Sequence, residues 1–153
     1  MGETPGSTRA ISRGPVLRAY LDTSAAVALL FGEPQARALE RKLKSLDELL
    51  SSGLFVAELL ASLSREGRSL ADADPMLDAV SLIFVDGSLA SECREALGQG
   101  HVRGADLWHL ATALYIGGRE REQLLFISLD ERQKSRAKQL GFSVWPATRR
   151  APG

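Results

Sequence analysis

At 153 residues the chain has the length of one ordinary domain, and its 44% hydrophobic and 25% charged content matches soluble globular averages. No apolar run approaches the ~20 residues of a membrane span, and residues 1–15 lack the continuous apolar segment of a secretion signal, so a cytoplasmic location is expected. Its 19 Lys and Arg balance its 19 Asp and Glu, which excludes a strong global field acting on nucleic acid, although 15 of those cations are Arg, the side chain that grips phosphate bidentately. Arginine-rich codon usage accounts for that preference equally well.

Residues 1–15, rich in Gly and Pro, read as a flexible extension that cannot repay the entropy of ordering, and residues 146–153 as a flexible tail. Residues 16–145 should form a single domain. Val16 to Leu21 reads as a strand that ends at Asp22. Thr23 to Phe31 follows as a helix stopped by Gly32. Then come a helix over Glu33 to Leu46, a short strand over Glu48 to Ser52 and a nearly all-apolar helix over Leu54 to Leu63. After a Gly/Ser break the pattern gives a helix over Pro75 to Leu82, a strand over Ile83 to Val85 and a helix over Ser88 to Leu97. The alternation continues with a helix over Gly104 to Tyr115, a strand over Leu124 to Ser128, a helix over Glu131 to Leu140 and a strand over Phe142 to Trp145. Such alternation implies an α/β fold with a mainly parallel sheet covered on both faces, and ligands then sit beyond the carboxyl ends of the strands. The lone Cys93 is expected to pack in the core beside Leu89, Ala96 and Leu97.

Three carboxylates interrupt apolar segments. Asp22 is the only charge between Ala19 and Gly32, Glu58 the only one between Leu49 and Ser64, and Asp106 the only one between Gly104 and Gly118. An unpaired buried carboxylate is costly, so each calls for a partner, and none of the three apolar segments contains a Lys or Arg to supply one. Asp130 stands where a strand passes into a helix, the context of Asp22. Singly, each has a structural explanation: Asp22 or Asp130 as helix caps, Glu58 on a solvated stripe, Asp106 as a first-turn acid favoured by the helix dipole. Together they form the oxygen-donor set that a hard divalent cation needs. Zinc is disfavoured, since only His101, His109 and one Cys are available.

The strings Tyr20-Leu21-Asp22-Thr23-Ser24-Ala25, Val56-Ala57-Glu58-Leu59, Gly104-Ala105-Asp106-Leu107-Trp108-His109-Leu110-Ala111-Thr112-Ala113 and Ile127-Ser128-Leu129-Asp130-Glu131-Arg132 occur in that order. In them the chain resembles the PIN domain, in particular the VapC-type toxins of bacterial toxin–antitoxin systems. Many members carry Thr where Ser128 stands. The resemblance implies a three-layer α/β/α fold with a five-stranded, mainly parallel sheet, and metal-dependent endoribonuclease activity. Mg2+, with Mn2+ as a substitute, would be the cofactor, and Asp22, Glu58, Asp106 and Asp130 would be the catalytic and metal-binding residues. RNA would be the substrate, a VapB-like antitoxin the partner and a homodimer the assembly, with no membrane association.

Thr23, Ser24 and Ser128 could hydrogen-bond a ligand or a bound water, with capping or strand termination as the structural alternatives, and His109, one turn after Asp106, reads first as a satisfied core histidine and second as a group that orients that carboxylate or a water. Trp108, on another face of its helix, is expected to pack. Arg103, Arg132, Lys134 and Arg136 flank the third and fourth acids, where they could track an RNA backbone or simply be solvated. The competing function is a catalytically silent PIN-fold binding or scaffold module, which has no need to keep four acids. A phosphorylatable receiver domain is excluded by the lack of paired acids after the first strand and of a Lys near Ser128.

Overall fold

The structure, a computed structural model, describes residues 14–148. Nearly all of the expected extension and most of the tail lie outside the described residues. Five strands, β1 (Arg18–Leu21), β2 (Glu48–Ser52), β3 (Val80–Ile83), β4 (Leu124–Ile127) and β5 (Ser143–Trp145), form one parallel sheet in the order β3-β2-β1-β4-β5. The helices are α1 (Thr23–Leu30), α2 (Ala36–Lys44), α3 (Leu54–Arg65), α4 (Asp74–Ala79), α5 (Ala90–Leu97), α6 (Gly104–Gly117) and α7 (Glu131–Gln139). Among the described residues no helix is long and apolar enough to cross a membrane.

Strand alternation explains the three layers. Successive side chains of a strand face opposite sides. In β1, Ala19 and Leu21 join Phe55, Leu59 and Leu63 of α3 in a core shared with α1, α2 and α4. Tyr20 points the other way, into a core with Leu110, Ala113 and Leu114 of α6, Ala96 of α5 and Ala137 of α7. β4 divides likewise, with Ile127 on the first side and Leu124 and Phe126 on the second. β1 and β4 are therefore apolar on both faces, as parallel strands under two helical layers must be. This is a three-layer α/β/α fold.

Two expectations require correction. The third strand is Val80–Ile83, upstream of the expected Ile83–Val85, and the helix before it stops at Ala79 instead of Leu82. Pairing of Leu49 with Val80 and of Ser52 with Ile83 fixes that register, which puts Phe84 outside the sheet and 76% exposed. Cys93, in the middle of α5, is only half-buried; burial and the neighbouring Glu92 charge push its thiol pKa up.

From β1 the chain steps outward to β2 and β3, then returns across the sheet to place β4 on the other flank of β1. The connections thus part between β1 and β4, leaving a crevice at their carboxyl ends. Leu21 pairs with Ile127, so Asp22 and Ser128, the next residues of the two strands, emerge side by side.

Candidate functional site

Asp22 is the best-enclosed acid, 4% exposed. It sits at the N-cap of α1, but its Oδ1 accepts only the adjacent Thr23 N–H at 3.1 Å rather than those deeper in the first turn. Its Oδ2 is held by hydroxyls instead: Ser128 Oγ donates at 2.6 Å and Ser24 Oγ at 3.2 Å. Ser128 Oγ in turn accepts the Asp130 N–H at 3.1 Å, and Ser24 Oγ accepts the Leu129 N–H at 3.1 Å. The hydroxyls of Ser24 and Ser128 therefore lock the start of α1 to the exit of β4. Burial drives the Asp22 pKa upward, with Glu58 adding repulsion, while His109 and the two serines oppose it.

Glu58 projects from α3, half-buried. Its Oε1 accepts Thr23 Oγ1–H at 2.9 Å and His109 Nε2–H at 2.5 Å. His109, from α6, is 1% exposed and closes a chain through the molecule: Nδ1 meets the Tyr20 hydroxyl at 2.6 Å, and Nε2 lies 3.8 Å from Asp22 Oδ1. A carboxylate only accepts, so Nε2 carries the proton toward Glu58, and in the neutral ring Nδ1 accepts from Tyr20. Burial raises the Glu58 pKa, but the hydrogen bond and charge of His109, with Thr23, outweigh it and hold the carboxyl below its usual value. Burial likewise keeps the Tyr20 phenol protonated far above its ordinary pKa.

Asp106 lies in the first turn of α6, half-buried. Its carboxylate makes no hydrogen bond to any described residue; only its backbone oxygen is used, accepting Gln133 Nε2–H at 2.9 Å. Its pKa is pushed up by burial first, then by the negative charges of Asp22 and Asp130 and more weakly by Glu58, against a pull from His109. Asp130 is exposed and caps α7 fully, its Oδ1 accepting the Arg132 and Gln133 N–H groups at 2.9 and 3.1 Å. The capping explanation thus suits Asp130 far better than Asp22.

Asp22, Glu58 and Asp130 all act electrostatically on Asp106, which shares a groove with Asp130, while Asp22 and Glu58 meet at His109. Among the described residues, no three His, Cys, Asp or Glu side chains form a ready-made metal cage. A hard cation does not require one, because Mg2+ takes one or two carboxylates and keeps most of its waters. An all-oxygen donor set, a carboxylate left without hydrogen bonds and like charges awaiting compensation all fit such an ion.

Of the flanking cations, Arg103 and Arg132 line a groove of about 550 Å3 together with Asp106 and Asp130. Lys134 does not join them. It is 1% exposed, and its Nζ donates to Glu131 Oε1 at 2.9 Å and to the Pro146 carbonyl at 3.2 Å, so the expectation of a solvent-facing cation is corrected. Nor is Trp108 a core residue; it is 42% exposed beside Phe84 and Gly53. Tyr20 and Gln133 were not singled out from the sequence. A Tyr in the middle of a buried strand needs a partner for its hydroxyl, which was the available signal for Tyr20; one Gln amid the charges of α7 offers none.

Fold and crevice together define a class, an α/β domain with an acidic centre at the carboxyl edge of a parallel sheet. A PIN domain family model matches residues 19–139, and the chain belongs to that family. Its relatives include Ribonuclease VapC46 of Mycobacterium tuberculosis, 34% identical over 129 residues that span 82% of this chain and 94% of the relative. Ribonuclease VapC47 of the same species is 29% identical over 129 residues, 80% of this chain and 92% of the relative.

The raised Asp22 pKa gives a stability prediction with a definite sign. Its charge is absent in both states below the unfolded pKa of about 3.9, and its unfavourable burial is felt increasingly as pH rises through the folded value. In EDTA, the melting temperature of Asp22→Asn relative to the parent should become more positive as pH rises above about 4, by roughly 2–4 °C for each kcal/mol relieved. Calorimetric melts showing a pH-independent difference would contradict this.

Proposed function

We propose that the protein is a metal-dependent endoribonuclease that acts as the toxin of a VapBC-type toxin–antitoxin pair. The observation that carries this reading is the Asp106 carboxylate, which makes no hydrogen bond to a described residue, lines a groove with Asp130, and has its pKa pushed up by burial and by the charges of Asp22 and Asp130. The names of the two mycobacterial relatives support it.

Asp22 and Asp106 would be the principal ligands of Mg2+ or Mn2+, with Glu58 and Asp130 completing the negative field. When bound, such an ion supplies Lewis acidity toward a phosphodiester and acidifies water. The residues themselves do the placing. Ser24 and Ser128 fix the Asp22 carboxylate through its Oδ2, and Gln133 ties the first turn of α6 to α7. His109 and Thr23 orient Glu58 and hold it ionised, available to accept a proton from attacking water. Arg103 and Arg132 offer cations to the flanking RNA backbone. Cytoplasmic location, homodimerisation and neutralisation by a VapB-like antitoxin belong to the same proposal.

Purified protein incubated with single-stranded and with structured RNA should cut in Mg2+ or Mn2+ and not in EDTA. Cleavage that persists in EDTA would remove the mechanism. Binding of Mg2+ without cleavage across a broad RNA panel would favour the silent scaffold.

A further inference from the structure

The groove beyond Asp106 and Asp130 changes sign along its length. At one end are those two carboxylates; farther along, between the loop before α6 and the exposed face of α7, lie His101, Arg103, Arg132 and Arg136. None of the three arginines makes an ion pair with a described residue. Arg136 is the unusual one. Its Nη1 is buried and has no hydrogen-bond partner among the described residues, an arrangement that costs free energy unless an acceptor arrives. Its guanidinium lies against Gly100, whose φ is +121° and where a Cβ would stand 3.2 Å from Nη2. A side chain at Gly100 would press on the planar fork, which would have to shift by a few tenths of an ångström. The amino end of α6 has no side-chain cap, and its positive dipole end adds to the field on that side.

We propose that this basic half of the groove is a phosphate subsite. It would hold a backbone phosphate of single-stranded RNA adjacent to the linkage at the acids, with Arg136 as the anchor and Arg103 and Arg132 on the walls. The inference rests on the ribonuclease reading for the identity of the ligand. A guanidinium fork matches two phosphate oxygens at once, and an unpartnered fork supplies such an acceptor's donors. Alternation of acidic and basic patches suits a polyanion that must be tolerated at one phosphate and gripped at the next. It also gives a register: the bound phosphate sets which linkage reaches Asp106.

The test uses the full chain in EDTA and a fluorescein-labelled 12-nucleotide oligouridylate, followed by anisotropy. Arg136→Gln should weaken binding about tenfold and reduce the slope of log K against log salt by about 0.7. A single neutral methylphosphonate, walked along the oligonucleotide, should weaken binding to the parent at one position, and that penalty should vanish in Arg136→Gln. Arg136→Lys should keep most of the salt slope while losing affinity, because it retains charge without the fork. If Arg136→Gln fails to fold, Arg132→Gln on the exposed side of the same groove carries the test, with a smaller loss of affinity and the same reduction in slope. Parental affinity and slope in the substituted chain, or a methylphosphonate penalty equal in both, would overturn the subsite. So would an oligoglutamate of equal charge that competes as well as oligouridylate through Arg136, since the groove would then belong to an acidic protein segment. Because binding is read without metal, a failure to cleave any RNA in Mg2+ would sink the ribonuclease reading and leave this measurement standing. Cleavage with no Arg136 effect would do the reverse.

Discussion

Asp106→Asn should lower Mg2+-dependent RNA cleavage by two to four orders of magnitude, the consequence of losing several kcal/mol of charge stabilisation at about 1.4 kcal/mol per tenfold in rate. The fold should not suffer. The Asp106 carboxylate makes no hydrogen bond to a described residue, and its charge is opposed by Asp22 and Asp130, so the amide removes repulsion and breaks no contact. A second readout separates loss of metal from loss of chemistry. At 100 times its dissociation constant, Mg2+ should stabilise the parent by about 2.7 kcal/mol, a rise in melting temperature of roughly 5–10 °C. Most of that rise should disappear in Asp106→Asn. Parental cleavage by this variant, or an equal Mg2+-induced shift in both proteins, would show that Asp106 is not a ligand. Asp22→Asn should be equally inactive but harder to interpret, because it also disturbs the bonds from Ser24 and Ser128.

His109→Ala should be the most destabilising change at the site, by about 3 kcal/mol and roughly 6–12 °C in melting temperature. Truncation opens a cavity under α6 and leaves the buried Tyr20 hydroxyl without its acceptor at 2.6 Å. Tyr20→Phe removes the same bond from the other end without a cavity and should cost about 1 kcal/mol. The double variant should melt close to His109→Ala alone, since each partner is then already unpaired. Full additivity in that cycle would mean that the two side chains do not act through their mutual bond. Activity should fall too, because Glu58 loses its shortest hydrogen bond.

The acids were legible in the sequence for a simple reason. Asp22, Glu58 and Asp106 are solitary charges in segments otherwise given to the core, and the fold brings all three within electrostatic reach of one another. Asp130 was legible as a strand end, and its exposure and full capping geometry show why its sequence signal resembled an ordinary helix start. The third strand was misplaced because Val80-Ser81-Leu82-Ile83-Phe84-Val85 is nearly continuous apolar sequence. Only pairing with β2 decides which four of those residues enter the sheet. Lys134 looked like its neighbours in the charged run from Glu131 to Lys138. Nothing local distinguishes the cation that turns inward to reach the Pro146 carbonyl. Neighbouring Trp108 and His109 were separable only once the packing of α6 on the sheet was known: one reaches solvent and the other the centre of the site.

The bond between Ser128 and Asp22 joins residues 106 positions apart. Contacts of such long sequence separation form late, since the intervening loop must close first. During synthesis, a nascent chain that has released β1, β2 and β3 still lacks the hydroxyl that fixes Asp22, the acid at 130 and the arginines of α7. Competence would therefore arrive in one step, when β4 docks against β1. A chain whose β4 has not reached β1 would hold three finished strands and an incomplete acidic centre, because the clasp on Asp22 is assembled across the sheet and not along it.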